Sequence, residues 1–220
     1  MPSAERPTRA TPPPRRPYHH GNLRQALVDM AVRVAEETGK DHISVREVAR
    51  RLGVSSGAPF RHFPDRVALM TAVAEEATER LRLQVERALL DAPPDAMLRL
   101  KRMGVAFIDW ALMHPTQFRL VSSRGLFDYA ASARMPVHFD AVRGLTLTLV
   151  AQAQAAGQLP AGPLHELALA LRAFAYGLVR MAVDGQLPQW DVPPEQTRET
   201  LIRAMTQLLD GLNPPRPDPS

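Results

Sequence analysis

Apolar residues recur at intervals of three and four along most of the chain. Leu23, Leu27 and Val34 share one helical face, which predicts a helix over residues 22–38. The same spacing predicts long helices over residues 65–91, 95–113, 136–156, 164–184 and 194–209, and a broken pair of short helices between 115 and 131. No stretch alternates with a period of two, and no repeat of fixed length appears. The pattern predicts an all-α fold of about nine helices.

Two further predicted helices, between residues 44 and 63, are short and follow each other closely. Ser44 precedes the first of them, over residues 45–52, and Glu47 lies three positions later, which is the spacing of a capping box. Gly53 follows this helix, and we expect it to adopt the left-handed conformation that ends a helix without a Cβ penalty. The chain can therefore turn sharply at this point.

The second short helix is predicted to begin at Ser55 or Ser56 and to run to about Phe63. Four apolar residues are expected to face inward, Val48, Leu52, Val54 and Phe63, and six residues to remain exposed, Ser56, Gly57, Ala58, Phe60, Arg61 and His62. Small residues at the start of a helix let it lie deep in the major groove of DNA. The segment from Ser44 to Phe63 is therefore predicted to be a helix-turn-helix that heads the all-α fold.

Composition narrows the class of protein. The 220 residues are 45% hydrophobic but only 5% aromatic, which fits a helical core. The absence of cysteine excludes disulfides and thiolate metal sites. No apolar run is long enough to span a membrane, and the N-terminus lacks the apolar segment of a signal peptide. We therefore expect a cytoplasmic protein.

Positive charge is concentrated at one end of the chain. Residues 1–66 hold twelve Lys and Arg against seven Asp and Glu, a net charge of +5, and the remainder carries −1. Such an asymmetry is typical of a head that binds a polyanion, although a solvated basic face without a partner has the same composition.

The pattern divides the chain into four parts. Residues 1–17 contain six prolines and four arginines and predict a disordered basic arm, which either stays free or enters the minor groove of DNA. A helix-turn-helix domain is predicted over 18–66, a helical domain over 67–212, and a disordered tail over 213–220. His19 and His20 are adjacent and lack a third ligand, so we expect no metal site.

The stretch ISVREVARRLGVSSGAPFRHFPDRVALM, preceded by YHHGNLR, resembles the DNA-binding signature of TetR/AcrR-family regulators. The resemblance covers about the first third of the chain. It rests on the small Gly-Val-Ser turn, the aromatic-x-His-Phe motif and a basic residue before an apolar run. The resemblance implies that the helical domain over 67–212 is a ligand-binding and dimerisation domain.

This resemblance implies DNA contacts from ten residues: Ser44, Arg46, Ser55, Ser56, Gly57, Ala58, Phe60, Arg61, His62 and Arg66. Arg46 and Arg61 are the expected base readers, since a guanidinium fork fits guanine O6 and N7. Phe60 stands where the family usually has tyrosine and lacks its hydroxyl. Pro59 replaces the usual leucine or isoleucine, and its ring is expected to pack inward.

Other basic side chains of this segment have plainer interpretations. Arg50 and Arg51 are expected to be solvated or near phosphate rather than on bases. His62 is expected to have a structural or phosphate-contacting role, with base reading as the alternative.

Most aromatic residues that follow the predicted helix-turn-helix domain lie between 107 and 139. The polar residues among them are Tyr129, His114, Arg119, Arg124 and His138. Such a mixture suits an apolar cavity with a few orienting groups, although an aromatic stripe also fits an ordinary core. The resemblance implies a small-molecule cavity, and the candidate lining residues are Met103, Phe107, Trp110, Phe118, Phe127, Tyr129, Phe139 and Phe174.

The segment LHELALALRAFAYGLVRMAVDG is apolar nearly all round and must be covered on every side. It is predicted to form a homodimer interface together with the helix over 194–209, which carries a stripe of Leu201, Ile202, Met205, Leu208 and Leu209. Complete burial within one subunit is the alternative.

These features predict a dimeric repressor that binds double-stranded operator DNA and is released by an unknown small apolar effector. An architectural DNA-binding protein without an effector is the alternative. No Glu-x-x-His pair, nucleophile elbow, phosphate-binding glycine loop or HExxH motif occurs, so we expect neither enzymatic activity nor a cofactor.

Overall fold

The computed structural model describes residues 23–39 and 43–212. The basic arm, the histidine pair and the C-terminal tail predicted above lie outside the described residues. Within the described ranges the fold is all-helical, as predicted. Its eight α-helices are α1 (Leu23–Thr38), α2 (Val45–Leu52), α3 (Arg66–Leu90), α4 (Ala96–Met113), α5 (Pro115–Ser122), α6 (Arg134–Ala155), α7 (Leu164–Val183) and α8 (Thr197–Gly211).

Local chemistry sets several helix ends. Asp65 and Asp95 are the N-caps of α3 and α4, where their carboxylates accept backbone N–H groups at 2.8 and 2.7 Å. Pro115 opens α5, since a proline at the first helical position loses no intrahelical hydrogen bond. The turn-rich segment before α8 forms a 3-10 turn at Pro194–Gln196, so α8 begins three residues later than predicted.

Two hydrophobic clusters divide the molecule, and α3 runs through both. Its first two turns, with Leu69 and Val73, pack against α1 and α2 in one cluster, which we call the head cluster. Its later turns, with Leu81 and Val85, pack in the other cluster, which we call the body cluster. In the body α4 contacts α3, α6, α7 and α8, so it is the central helix.

The predicted broken pair of short helices is only half correct. Helix α5 ends at Ser122, and residues 123–133 form turns instead of a second helix. Asp128 is one reason, because its carboxylate accepts the N–H groups of Ala130 and Ala131 at 3.0 and 3.1 Å, an alternative to helical hydrogen bonds.

Candidate DNA-reading head and ligand cavity

The turn that follows α2 has the predicted geometry. Gly53 adopts the left-handed conformation with φ +70°, and its N–H donates to the carbonyl of Arg50 at 3.1 Å. The N–H of Val54 donates to the carbonyl of Ala49, also at 3.1 Å. These bonds end α2 and redirect the chain across it.

The predicted third helix over 55–63 is wrong, because the structure has only a 3-10 turn at Pro59–Arg61. The reason is local. Pro59 has no N–H to donate, and the serines and glycine before it favour turns over helix. The N–H groups of His62 and Phe63 both donate to the carbonyl of Pro59 at 2.9 Å, which closes a compact loop.

The inner face of this loop is apolar. Pro59 is buried, as predicted, and Phe63 is 2% exposed beneath the Arg24 guanidinium, which lies 5.2 Å from its ring centre. Val48 is fully buried, while Leu52 and Val54 are half-buried. The loop is therefore held against α1 and α2 by packing rather than by helical hydrogen bonds.

The outer face presents most of the residues for which DNA contacts were predicted. Ala58 and Arg66 are half-buried, and the others are exposed: Ser44, Arg46, Ser55, Ser56, Gly57, Phe60, Arg61 and His62. Phe60 is 43% exposed, although its type is usually buried. The structure therefore leaves eight of these ten residues exposed.

The arginines of α2 divide into two groups. Arg50 and Arg51 are held by Glu47, with nitrogen–oxygen distances of 2.7–2.9 Å, and Arg51 also pairs with Glu37. Hydrogen bonds from Arg50 and Arg51 lower the pKa of Glu47 to about 2. Arg46, by contrast, has no hydrogen bond or ion pair to any residue that the structure describes.

These ion pairs also overturn the predicted capping box. Ser44 is the N-cap of α2, but its side chain makes no capping hydrogen bond. Glu47 is engaged by the arginines one turn later, since a charge-assisted bond outcompetes a bond to a neutral N–H. The hydroxyl of Ser44 therefore stays on the exposed surface beside Arg46.

The body contains a partly open cavity of about 490 Å³ between α3, α4, α6, α7 and α8, a volume typical of small-molecule sites. Five of the predicted lining residues border it, Met103, Phe107, Tyr129, Phe139 and Phe174. A smaller cavity of about 210 Å³ adjoins it and is bordered by Trp110 and Phe118.

Three residues that the sequence predicted to line the cavity do not border it. Phe127 borders neither cavity and packs in the head cluster instead. Among the suggested orienting groups, Arg119 turns away and donates to the carbonyl of Val183 at 2.6 Å. His114 turns toward Glu36, 3.4 Å away. Periodicity does not distinguish which side of a helix borders a cavity and which side borders another core.

Sequence reasoning missed Arg172 of α7 as a cavity residue. It borders both cavities, and its guanidinium carbon lies 4.8 Å from the ring centre of Phe107. The signal was an arginine in the middle of a largely apolar helix, between Leu171 and Ala173. Such a residue calls for a partner or a ligand.

Helix α5 connects the cavities with the head. Phe118 and Val121 border the smaller cavity, while Gln117 of the same helix donates from Nε2 to Oε1 of Glu36 in α1 at 2.6 Å. Gln117 is 1% exposed. This part-buried hydrogen bond joins α5, which borders the smaller cavity, to α1 of the head.

One face of α7 is apolar and uncovered within the single chain. Leu169 is 68% exposed, Ala170 and Ala173 are also exposed, and a Cβ built on Gly177 meets no atom within 4 Å. On α8, by contrast, the apolar stripe packs inward, since Leu201 and Met205 are buried against α4 and its neighbours. No described helix is long and apolar enough to cross a membrane.

Two family profiles match the chain. One described as "Bacterial regulatory proteins, tetR family" matches residues 27–73, and one described as "Tetracyclin repressor-like, C-terminal domain" matches residues 100–205. Together they cover both the head and most of the body.

Individual proteins are similar as well. An HTH-type transcriptional repressor of Mycobacterium tuberculosis is 41% identical over 63 residues, which are 29% of this chain and 34% of that protein. The chain thus aligns with about a third of that curated relative.

Solved structures match over nearly the full length. A protein of unknown function from Rhodococcus sp. RHA1 is 34% identical, with a TM-score of 0.76 over 91% of this chain and 100% of that one. A tetR-family regulatory protein from Rhodococcus RHA1 is 16% identical, with a TM-score of 0.65 over 86% of this chain and 97% of its own, and shows the shared fold.

Proposed function

Because this chain belongs to the TetR family of bacterial regulatory proteins, we propose that it is a sequence-specific transcriptional repressor that a small molecule releases from operator DNA. The observation that carries the proposal is the pairing, in one chain, of an exposed arginine-bearing head with a largely apolar cavity. We assign the protein no catalytic step.

The head would read DNA mainly through arginine. Arg46 is exposed and unpaired among the described residues, so its donors remain available for guanine in the major groove. Arg50 and Arg51 are already paired with Glu47, and Arg51 also with Glu37, so they would contribute less. The hydroxyls of Ser44 and Ser55 are exposed and would suit contacts with the phosphate backbone.

Two copies of the head are needed to read two half-sites. The uncovered face of α7, with Leu169, Ala170 and Ala173, supports a homodimer through α7. The apolar stripe of α8, which the sequence predicted to share this interface, packs inward instead. A two-fold dimer presents its heads to successive major grooves about 34–36 Å apart. We expect Ala173→Glu, which brings like charges together across such an axis, to weaken the dimer in sedimentation equilibrium and to leave the monomer's helicity unchanged.

The effector would act by changing the spacing of the heads. A molecule bound where the two cavities meet would press on Phe118 and Val121, which border the smaller cavity, and the Gln117–Glu36 hydrogen bond would carry the shift to α1. Release of DNA then requires that the effector binds the released conformation more tightly than the DNA-bound one.

The test is selection of DNA fragments by the purified protein. Fragments from its own genome and random DNA of equal length are compared at several salt concentrations, since non-specific binding falls steeply with salt. The proposal predicts a preferred fragment with two half-sites. Equal affinity for all fragments would contradict it, and a preferred fragment that no cavity ligand ever releases would favour the architectural alternative.

A further inference from the structure

The charged groups on the wall of the larger cavity all have one sign. Most lining residues are apolar, and the charged ones are Arg124, Arg143 and Arg172, accompanied by His138 and His165. No aspartate or glutamate lines either cavity of the described structure. A cavity with this composition disfavours cations and attracts anions.

The three arginines differ in how they are satisfied. Arg143 pairs with Asp140 at 3.0 Å. Arg124 and Arg172 have no carboxylate partner among the described residues, and both stack on aromatic rings instead. The Arg124 guanidinium carbon lies 3.8 Å from the ring centre of Tyr129, and that of Arg172 lies 5.4 Å from Tyr176.

Arg124 and Arg172 also occupy the wall that the two cavities share. Both residues border the larger and the smaller cavity, as do Phe107 and Phe139. Stacking fixes the plane of a guanidinium on a ring face and leaves its N–H donors at the edge of that plane. Those donors match the fork of a carboxylate.

The surroundings make an anion favourable at this point. Arg172 is exposed as a whole residue, but protein surrounds its guanidinium, and this burial lowers the pKa of the group. A partly desolvated cation without a counter-charge is costly, and a bound anion removes that cost.

His138 adds a further donor on the wall of the larger cavity. Its Nδ1 accepts from Nε of Arg82 at 3.2 Å, so Nε2 carries the proton, and this buried Nε2 has no partner. A neutral histidine of this tautomer offers a hydrogen bond to an acceptor and none to a donor.

We propose that the effector is an amphipathic carboxylate, whose head group is bound at Arg124 and Arg172 and whose apolar chain fills the larger cavity. This rests on the proposed function, in which the cavity holds the effector. It replaces the generic apolar ligand expected from the sequence with a monoanion.

The test compares three probes with the same chain and different head groups: decanoate, decanamide and decyltrimethylammonium. Each is titrated into the full-length protein by calorimetry below its micelle-forming concentration, and thermal shift is recorded in parallel. The proposal predicts that decanoate binds at least ten-fold more tightly than decanamide and that the cation binds most weakly.

Variants locate the head group. Arg172→Gln should weaken decanoate about ten- to hundred-fold, the loss typical of one charged hydrogen-bonded pair, and leave decanamide unchanged. Arg172→Lys should lose less. Arg143→Gln is the matched control, because it removes a cavity arginine whose charge Asp140 already pairs, and it should bind decanoate like the wild type.

Each outcome decides the proposal. Equal affinity for decanoate and decanamide, tighter binding of the cation, or no binding of any probe would overturn the carboxylate assignment. An Arg172→Gln variant that melts like the wild type and still binds decanoate normally would also overturn it. The proposed function fails separately, through the absence of a preferred DNA fragment, so the two failures are distinguishable.

Discussion

Replacing Gln117 by methionine is expected to separate ligand binding from DNA release. The side chain is 1% exposed, and its Nε2 donates to Glu36 of α1 at 2.6 Å. A hydrogen bond to a charged group contributes about 1.5–3 kcal/mol, and the lower end applies here because the Glu36 side chain is 39% exposed to water.

The cost in stability should be smaller than this bond. Oε1 of Gln117 is buried without a partner, so methionine also removes an unfavourable group worth about 1 kcal/mol. Methionine has a similar length and adapts to its site. We therefore expect a net loss of about 1 kcal/mol or less in the free energy of unfolding.

The expected effect is on coupling. Allosteric coupling between two sites is typically about 1–3 kcal/mol, and removing this link should lower it by about 1 kcal/mol, or about five-fold in the ligand-induced change of affinity. Fluorescence anisotropy with the preferred DNA fragment, with and without saturating ligand, measures that change.

Gln154→Met is the matched control. The same chemical change there removes a hydrogen bond from Nε2 to the carbonyl of Pro160 at 2.9 Å, at the end of α6 rather than between cavity and head. The reasoning is refuted if Gln117→Met keeps the full ligand response, or if Gln154→Met loses as much of it.

Two further predictions concern the cavity. Gly104→Ala places a Cβ 2.0 Å from Sδ of Met205, so we expect the methionine side chain to move into the cavity. Ligand affinity measured by calorimetry should then fall about ten-fold, while the melting temperature should change by less than about 5 °C. Burial lowers the pKa of His138 from 6.5, so the unfolded chain takes up this proton first and stability falls as pH drops below about 6.5. His138→Gln, whose amide oxygen can still accept from Arg82, should lower that pH dependence of the melting temperature between pH 8 and pH 5, and an unchanged slope would contradict it.

Periodicity predicted the long helices well because each buries a stripe of apolar residues. It failed at Pro59, where a missing N–H and the preceding Ser-Gly pair decide the backbone locally. It also failed at Glu47, whose spacing fits a capping box but whose carboxylate is bound by two arginines.

The cavity was harder to predict than the helices. Phe107 and Phe127 have the same residue type, and only the packing of α5 and its following turns assigns one to the cavity and the other to the head cluster. Arg172 was visible in the sequence as a charge in the middle of a largely apolar helix, yet its position over Phe107 and Tyr176 depends on how α7 packs against α4.

The central claim is that the head reads DNA sequence through Arg46. Its most direct test is the ratio of affinities for the preferred fragment and for random DNA, measured for the wild type, Arg46→Ala and Arg50→Ala at one salt concentration. A bidentate arginine–guanine pair contributes about 1–3 kcal/mol of discrimination, so Arg46→Ala should lower the ratio about ten-fold or more. Arg50→Ala should keep it, because Glu47 already binds Arg50. An Arg46→Ala protein that discriminates as well as the wild type would contradict the account.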